Sequence, residues 1–253
     1  MGDFTADPSH PRYASLLMRH RLELAAQRGM LAGSAMIAHG RGEAFDYLLG
    51  ERTTPSAELA TLHALHVLKS AKRPILSING NVAALAADEI IKLAHALQCP
   101  IEVNIFYRTP ERMRAILAFL EERKTFLGLD VAVLGDSPDA EIPGLKGPRA
   151  ACHLNGIYQS DTILVPLEDG DRCQALVKMG KQVIVIDLNP LSRSAQRATV
   201  TIVDELSRVL NNMLRMLGEN AMLPNDAVYD HQLSLQQALQ EILTGITDEA
   251  SSQ

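Results

Sequence analysis

DTILVPLEDGDRCQALVKMGKQVIVIDLNPLSRS, residues 161–194, holds two apolar runs, DTILVPL and KQVIVIDL, separated by a helical pattern that opens near Asp169-Gly170-Asp171 and stops at Gly180. A strand with one wet face alternates apolar and polar residues. These runs do not alternate, so both of their faces are covered, as in a parallel sheet flanked by helices. Strand, helix and strand in about thirty residues make a βαβ unit.

The same grammar continues outward. Runs at SAMIA (34–38), PILSI (74–78), PIEVNIF (100–106) and DVAVLG (130–135) precede the unit, and a weaker VTIV (200–203) follows it. Helical patterns at 43–49, 56–71, 84–97, 109–124, 171–180 and 204–217 lie between them. A helix at about 11–29, ending at Gly29, comes before the first run, and a helical segment at about 227–245, centred on the amphipathic Leu233–Leu243, closes the chain. We expect one α/β domain over residues 1–253, Rossmann-like and doubly wound, with a mostly parallel sheet and both terminal helices packed on it. Ligands of such folds bind outside the carboxyl ends of the strands, so functional residues are sought in the loops that follow them. Two irregular stretches, 136–160 and 218–228, are rich in turn residues, and the first is the lid candidate.

Composition narrows the class. The chain has 253 residues, 47% of them hydrophobic, which is enough for a large core, and a net charge of −6, which disfavours nucleic acid or a membrane surface as partner. Three scattered cysteines, Cys99, Cys152 and Cys173, form neither a disulfide framework nor a zinc motif and suit a reducing compartment. No basic leader followed by an apolar run and no long apolar span is seen, so a cytoplasmic protein is expected.

The loops are then read one at a time. His39-Gly40-Arg41-Gly42, after SAMIA, offers close backbone approach and a cation for a phosphate or carboxylate. Asn79-Gly80-Asn81, after PILSI, is either a tight turn or a pair of amides for a substrate carboxylate or hydroxyl. Asn104 lies within the next run, where a polar side chain needs a partner; Tyr107 and Arg108 follow it, and Thr109 caps a helix that begins with Pro110. Glu168-Asp169-Gly170-Asp171 reads either as a turn with Asp171 as N-cap or as carboxylates for magnesium. Lys178 and Lys181 read as solvated charges. Asp187-Leu188-Asn189-Pro190-Leu191-Ser192-Arg193-Ser194 has the outline of a nucleotide subsite: an acid for ribose hydroxyls, an amide for an adenine edge, and a helix start with an arginine for phosphate. GxxxxGK[ST], GxGxxG, a nucleophile elbow and HExxH are all absent, which disfavours Walker-type phosphate binding, NAD, acyl hydrolysis and zinc.

Taken together, HPRYASLLMR, IAHGRGEAFDYLLGERT, INGNVAAL, EVNIFYRT, IPGL, LVPLEDGDRCQALVKMGKQVIVIDLNPLSRS and TIVDEL resemble the archaeal phosphopantothenate synthetases, 4-phosphopantoate:β-alanine ligases, in order from about His10 to Val203. The resemblance implies a cytoplasmic homodimer that joins 4-phosphopantoate to β-alanine in coenzyme A synthesis, converting ATP to AMP and pyrophosphate with Mg2+. Position by position it places ATP on Arg19, Arg41, Asp187, Leu188, Asn189, Arg193, Ser194, Glu205 and Leu206. Ser194 stands where threonine is usual and keeps the hydroxyl. Arg41, Arg193 and Asp171 are the expected catalytic groups, and Asp169 and Asp171 the expected metal contacts. His39, Asn79, Asn81, Asn104, Tyr107 and Arg108, at neighbouring strand ends, are expected on the phosphopantoate side. The alternatives are an adenylating ligase for another hydroxy acid and a nucleotide-sensing protein of this fold without chemistry.

Overall fold

The computed structural model describes residues 6–222 and 229–250. Three helices come first, α1 (Tyr13–Gln27), α2 (Ala35–Leu48) and α3 (Pro55–Ser70). Strand–helix alternation follows: β1 (Pro74–Ile78), α4 (Gly80–Leu97), β2 (Ile101–Val103), α5 (Pro110–Leu127) and β3 (Val133–Leu134). A two-stranded ribbon, β4 (Ala140–Glu141) with β5 (Ala151–Cys152), leads into a π-helical turn at Leu154–Tyr158. The second half runs β6 (Thr162–Leu164), α6 (Gly170–Lys178), β7 (Gln182–Ile186), α7 (Arg193–Arg197), β8 (Val200–Ile202), α8 (Leu206–Gly218) and α9 (His231–Ala250).

Among the described residues six strands form one sheet in the order β3-β2-β1-β6-β7-β8, every neighbouring pair parallel. The expected Rossmann-like α/β fold is therefore present. The chain winds outward from β1 in one direction and from β6 in the other, so the switch point lies between these two strands. Strand side chains divide between two cores with period two. Leu76, Ile78, Leu164, Ile184 and Ile186 face one core with α4, α5 and α8; Ile75, Ile163, Val165, Val183 and Val185 face a second, which includes Cys173, Leu176 and Ile157. This double burial is why the runs lack alternation.

Three sequence expectations need correction. SAMIA is no strand: it is the first turn of α2, and Ile37 is 68% exposed. Apart from Ile37 its apolar residues are good helix formers, and the following residues continue the helix. The HGRGE segment is therefore helical too, and its two interior glycines, each costing about 1 kcal/mol against alanine, are offset by the buried Glu43 and Asp46 that tie α2 to α1 and α8. The 136–160 stretch is anchored rather than loose, because Glu102 in β2 accepts hydrogen bonds from His153 N at 3.0 Å and Ile157 N at 2.7 Å. Lys181 is 5% exposed and not solvated; its Nζ donates to the Tyr158 carbonyl at 2.9 Å and to that of Ser160. Of the 218–228 stretch, residues 223–228 lie outside the described residues, as do 227 and 228 of the expected terminal segment. Among the described residues no helix is long and apolar enough to cross a membrane.

Candidate functional site

A cleft of about 670 Å³ opens at the carboxyl ends of the strands, over the switch point. Its floor is set by the loop after β1. Asn79 caps α4, accepting from Val82 N at 3.1 Å, and its amide donates to the Leu167 carbonyl after β6, also at 3.1 Å. A Cβ at Gly80 would lie 2.8 Å from the Met30 carbonyl oxygen, so only glycine lets the chain before α2 pack this closely. Asn81 donates to the Ala35 carbonyl at 3.1 Å, which seats the start of α2 beside the cleft. These amides hold three elements in register as well as lining the space.

Leu167 adopts φ +55°, a left-handed conformation costing a non-glycine residue about 1–2 kcal/mol. The turn puts the Leu167 side chain on the cleft and sends Glu168 inward. There the Glu168 carboxylate meets two arginines. Arg172 pairs with it and donates to Ser77 Oγ at 3.0 Å, while Arg149 lies 2.8 and 2.9 Å from its two oxygens. Arg149 also donates from Nε to Asn104 Oδ1 at 3.3 Å and from Nη1 to the exposed Asp169 at 2.9 Å. Asn104 lies just beyond β2, not within it, and donates to the Ala151 carbonyl at 2.9 Å. It supports the ribbon and Arg149 from below. Glu168 is consumed by this network, so Asp169 and Asp171 are the carboxylates of that loop left facing the cleft.

On the other side of the switch point, α6 and α7 meet so closely that a Cβ at Gly170 would lie 2.4 Å from Arg193 Cβ. Asp169, not Asp171, occupies the N-cap position of α6; Asp171 pairs instead with Arg193 at 2.5 Å, both side chains being largely exposed. Asp187 accepts from Asn189 N at 2.9 Å and from Ser192 Oγ, which in turn caps α7. Burial pushes the Asp187 carboxyl above the ordinary aspartate range despite these bonds. Asn189 Oδ1 accepts from Leu191 N at 2.9 Å, and the buried Ser194 donates its hydroxyl to the Glu168 carbonyl. Glu205 caps α8 through Ser207 N and Arg208 N, and burial raises its carboxyl.

Arg41 projects from α2 into the cleft, exposed and without a paired side chain among the described residues. Two residues on, towards another side of the helix, Glu43 accepts from Arg19 Nη2 at 2.7 Å and from Ser15. Burial pushes the Glu43 carboxyl up, but bonds from Arg19, Ser15 and Tyr47 outweigh it and leave it at about 2 instead of 4.5. Its contribution to stability is thus present above the unfolded value and lost as pH falls from about 4.5 towards 2. In Glu43→Gln the urea midpoint is expected to fall less steeply than wild type across that window, as read by a denaturation series at stepped pH. His39 lines the cleft with its Nε2 buried and without a partner among the described residues, and burial lowers its pKa.

Of the residues singled out from sequence, the fold brings His39, Arg41, Asn79, Asn81, Tyr107, Asp169, Asp171, Leu188, Arg193, Glu205 and Leu206 to the wall of one cleft. Arg19, Asn104, Asp187, Asn189 and Ser194 do not line it; Arg19 and Asn104 hold Glu43 and Arg149, which do, while the other three bond within and between the loops after β6 and β7. Arg108 turns away and donates to the Gly135 carbonyl at the end of β3. Sequence reasoning passed over Arg112, Lys146 and Arg149, which also line the space. Position in the first turn after Thr109-Pro110 was a readable signal for Arg112; the other two lie in the stretch read only as a lid. Among the described residues no group of three or more metal-ligating side chains is gathered.

A family model described as phosphopantothenate/pantothenate synthetase matches residues 56–248. A protein of Thermococcus kodakarensis is 49% identical over 211 residues, covering 83% of this chain and 79% of its own length. One from Methanospirillum hungatei is 48% identical over 83% of this chain and 84% of its own, and one from Methanosarcina mazei 44% over 92% of each. All three relatives carry the name 4-phosphopantoate–beta-alanine ligase. The resemblance read from the motifs is borne out.

Proposed function

Because the chain belongs to the phosphopantothenate/pantothenate synthetase family, we propose that it is a cytoplasmic ligase joining 4-phosphopantoate to β-alanine for coenzyme A synthesis, with ATP converted to AMP and pyrophosphate. The observation that carries the reading is the meeting of Arg41, from α2, and Arg193, from α7, on one cleft over the switch point. Two cations from separate stretches of chain suit a ligand with several negative charges.

A carboxylate resists attack by an amine because oxide is a poor leaving group. Attack of the acid's carboxylate oxygen on the α-phosphorus of ATP forms an acyl adenylate and releases pyrophosphate; the amine of β-alanine then adds to the acyl carbon, and AMP leaves as the C–N bond is made. The chain's part is to hold the anions in contact and to meet the charge that develops on pyrophosphate. Arg193 starts paired with Asp171, so binding exchanges one carboxylate for phosphate oxygens. Arg41, with no paired side chain among the described residues, has none to give up to meet them. Arg19 acts from behind by fixing Glu43 and the helix that carries Arg41.

Magnesium would neutralise part of the triphosphate. Asp169 and Asp171 are the carboxylates placed to meet it, and two side chains without a third fit an ion carried in on the nucleotide with water completing its shell. The whole chain is read as a single domain that pairs as a homodimer. We expect pyrophosphate to form only when ATP, the phosphorylated acid and magnesium are all present, and AMP to match the amide made; ATP binding with no pyrophosphate under these conditions would turn the reading towards a nucleotide sensor.

A further inference from the structure

The family description spans acids with and without a phosphate, which leaves open what in this chain would choose between them. Of the cations of the cleft, Arg41 and Arg193 come from α2 and α7 and are exposed, while Arg112 comes from α5, Lys146 and Arg149 from the loop of the ribbon and Arg172 from α6. Arg149 differs from the exposed cations in being buried, and from the buried Arg172 in also reaching a carboxylate at the surface. Its side chain is 9% exposed, yet it lines the cleft. Three of its five N–H groups are committed by hydrogen bonds, to Asn104 beyond β2, to Glu168 beyond β6 and to Asp169.

The charge count of this cluster is informative. Glu168, with its side chain fully buried, faces both Arg149 and Arg172, so the buried trio carries one surplus positive charge. Asp169 balances it from the solvent side, with its side chain 62% exposed. An entering anion can take the place of Asp169 without disturbing Glu168 or Asn104. Glu102 attracts Arg172 from further off, but the further carboxylate that Arg149 itself meets is the exposed Asp169, and burying this second arginine is costly for stability alone because the neutral Glu168–Arg172 pair would satisfy the site without it. A planar guanidinium fixed on two sides and open on the third matches a phosphate, which takes paired N–H donors.

On the ligase reading, we propose that Arg149 is the residue that selects a phosphorylated over an unphosphorylated hydroxy acid, taking the acid's phosphate in place of Asp169. Glu168 and Asn104 are positioning residues that aim it. The nucleotide then lies towards β7, and the acid's carboxylate faces it across β1.

Steady-state AMP release tests this with 4-phosphopantoate and pantoate as rival acids. Arg149→Ala is expected to raise KM for 4-phosphopantoate on the order of 10²-fold and to shrink the preference over pantoate by the same factor, leaving KM for ATP within about twofold. Arg149→Lys keeps the charge without the fork and is expected to lie between. A loss of equal size with both acids would make Arg149 a strut of the ribbon and overturn the proposal, as would an unchanged preference. Folding of the alanine variant is expected because the Glu168–Arg172 pair stays intact. Should that variant fail to fold, the lysine variant decides: the full wild-type preference overturns the proposal and a reduced one supports it. Wild-type protein that releases no AMP with either acid would sink the ligase reading itself. Calorimetric binding of 4-phosphopantoate against pantoate, to wild type and Arg149→Lys, then still reports what Arg149 selects.

Discussion

Arg41→Ala is expected to lower kcat/KM for ATP on the order of 10²-fold or more, the usual loss when one well-placed cation is removed from developing phosphate charge. The same variant is expected to melt with wild type, within about 0.5 kcal/mol, because an exposed side chain without a described partner contributes little to folding. This separation of activity from stability distinguishes Arg41 from Arg19, whose bond to Glu43 at 2.7 Å makes it part of the scaffold, so that Arg19→Ala is expected to lose both. Pyrophosphate release kinetics beside thermal melts measure the pair of effects. Wild-type turnover by Arg41→Ala would remove that residue from the site.

The largest loss of stability is expected at Glu102. Its carboxylate is 1% exposed in the middle of β2 and accepts from His153 N at 3.0 Å and Ile157 N at 2.7 Å. Burial holds its pKa above the ordinary glutamate value in spite of those bonds. Glu102→Ala leaves both amides without an acceptor and opens a cavity. Each unmet amide costs about 1–3 kcal/mol, and relief from burying a carboxylate returns part, so a net loss of about 2–4 kcal/mol is expected in a urea titration. Gly156→Ala tests the same contact from the other side, since its Cβ would lie 2.0 Å from Glu102 Oε2. A shift below about 1 kcal/mol in both variants would mean that the ribbon is held elsewhere.

The parallel strands were legible because each is covered on both faces, which leaves an uninterrupted apolar run with no helical period. SAMIA imitated such a run over five residues. What told against it lay further along: the apolar and acidic positions of AHGRGEAFDYLL fit one helix only once Glu43 and Asp46 are known to be buried against Arg19 and Arg208. No local rule predicts a buried acid. Asp187, Asn189 and Ser194 read from sequence as parts of a nucleotide subsite; in the fold Asp187 and the Asn189 Oδ1 brace their own loop, and the Ser194 hydroxyl reaches across to the Glu168 carbonyl after β6. Arg149 was invisible for a different reason. Its partners Asn104, Glu168 and Asp169 come from two other stretches of chain, and only the sheet order brings those stretches together.

That sheet order also governs how the molecule can be made. β1 is a middle strand, with β2 on one edge and β6 on the other, and its register pairs Ile75 with Ile163. A ribosome delivers β2 and β3 well before β6, so the emerging chain carries β1 with one row of amides and carbonyls unpaired and an apolar flank open to neighbours. The amino-terminal half therefore has no finished surface of its own, and a nascent chain halted before residue 161 is a template for aggregation. The centre of the ligand cleft, which straddles that same seam, is completed late in synthesis, when the second half docks.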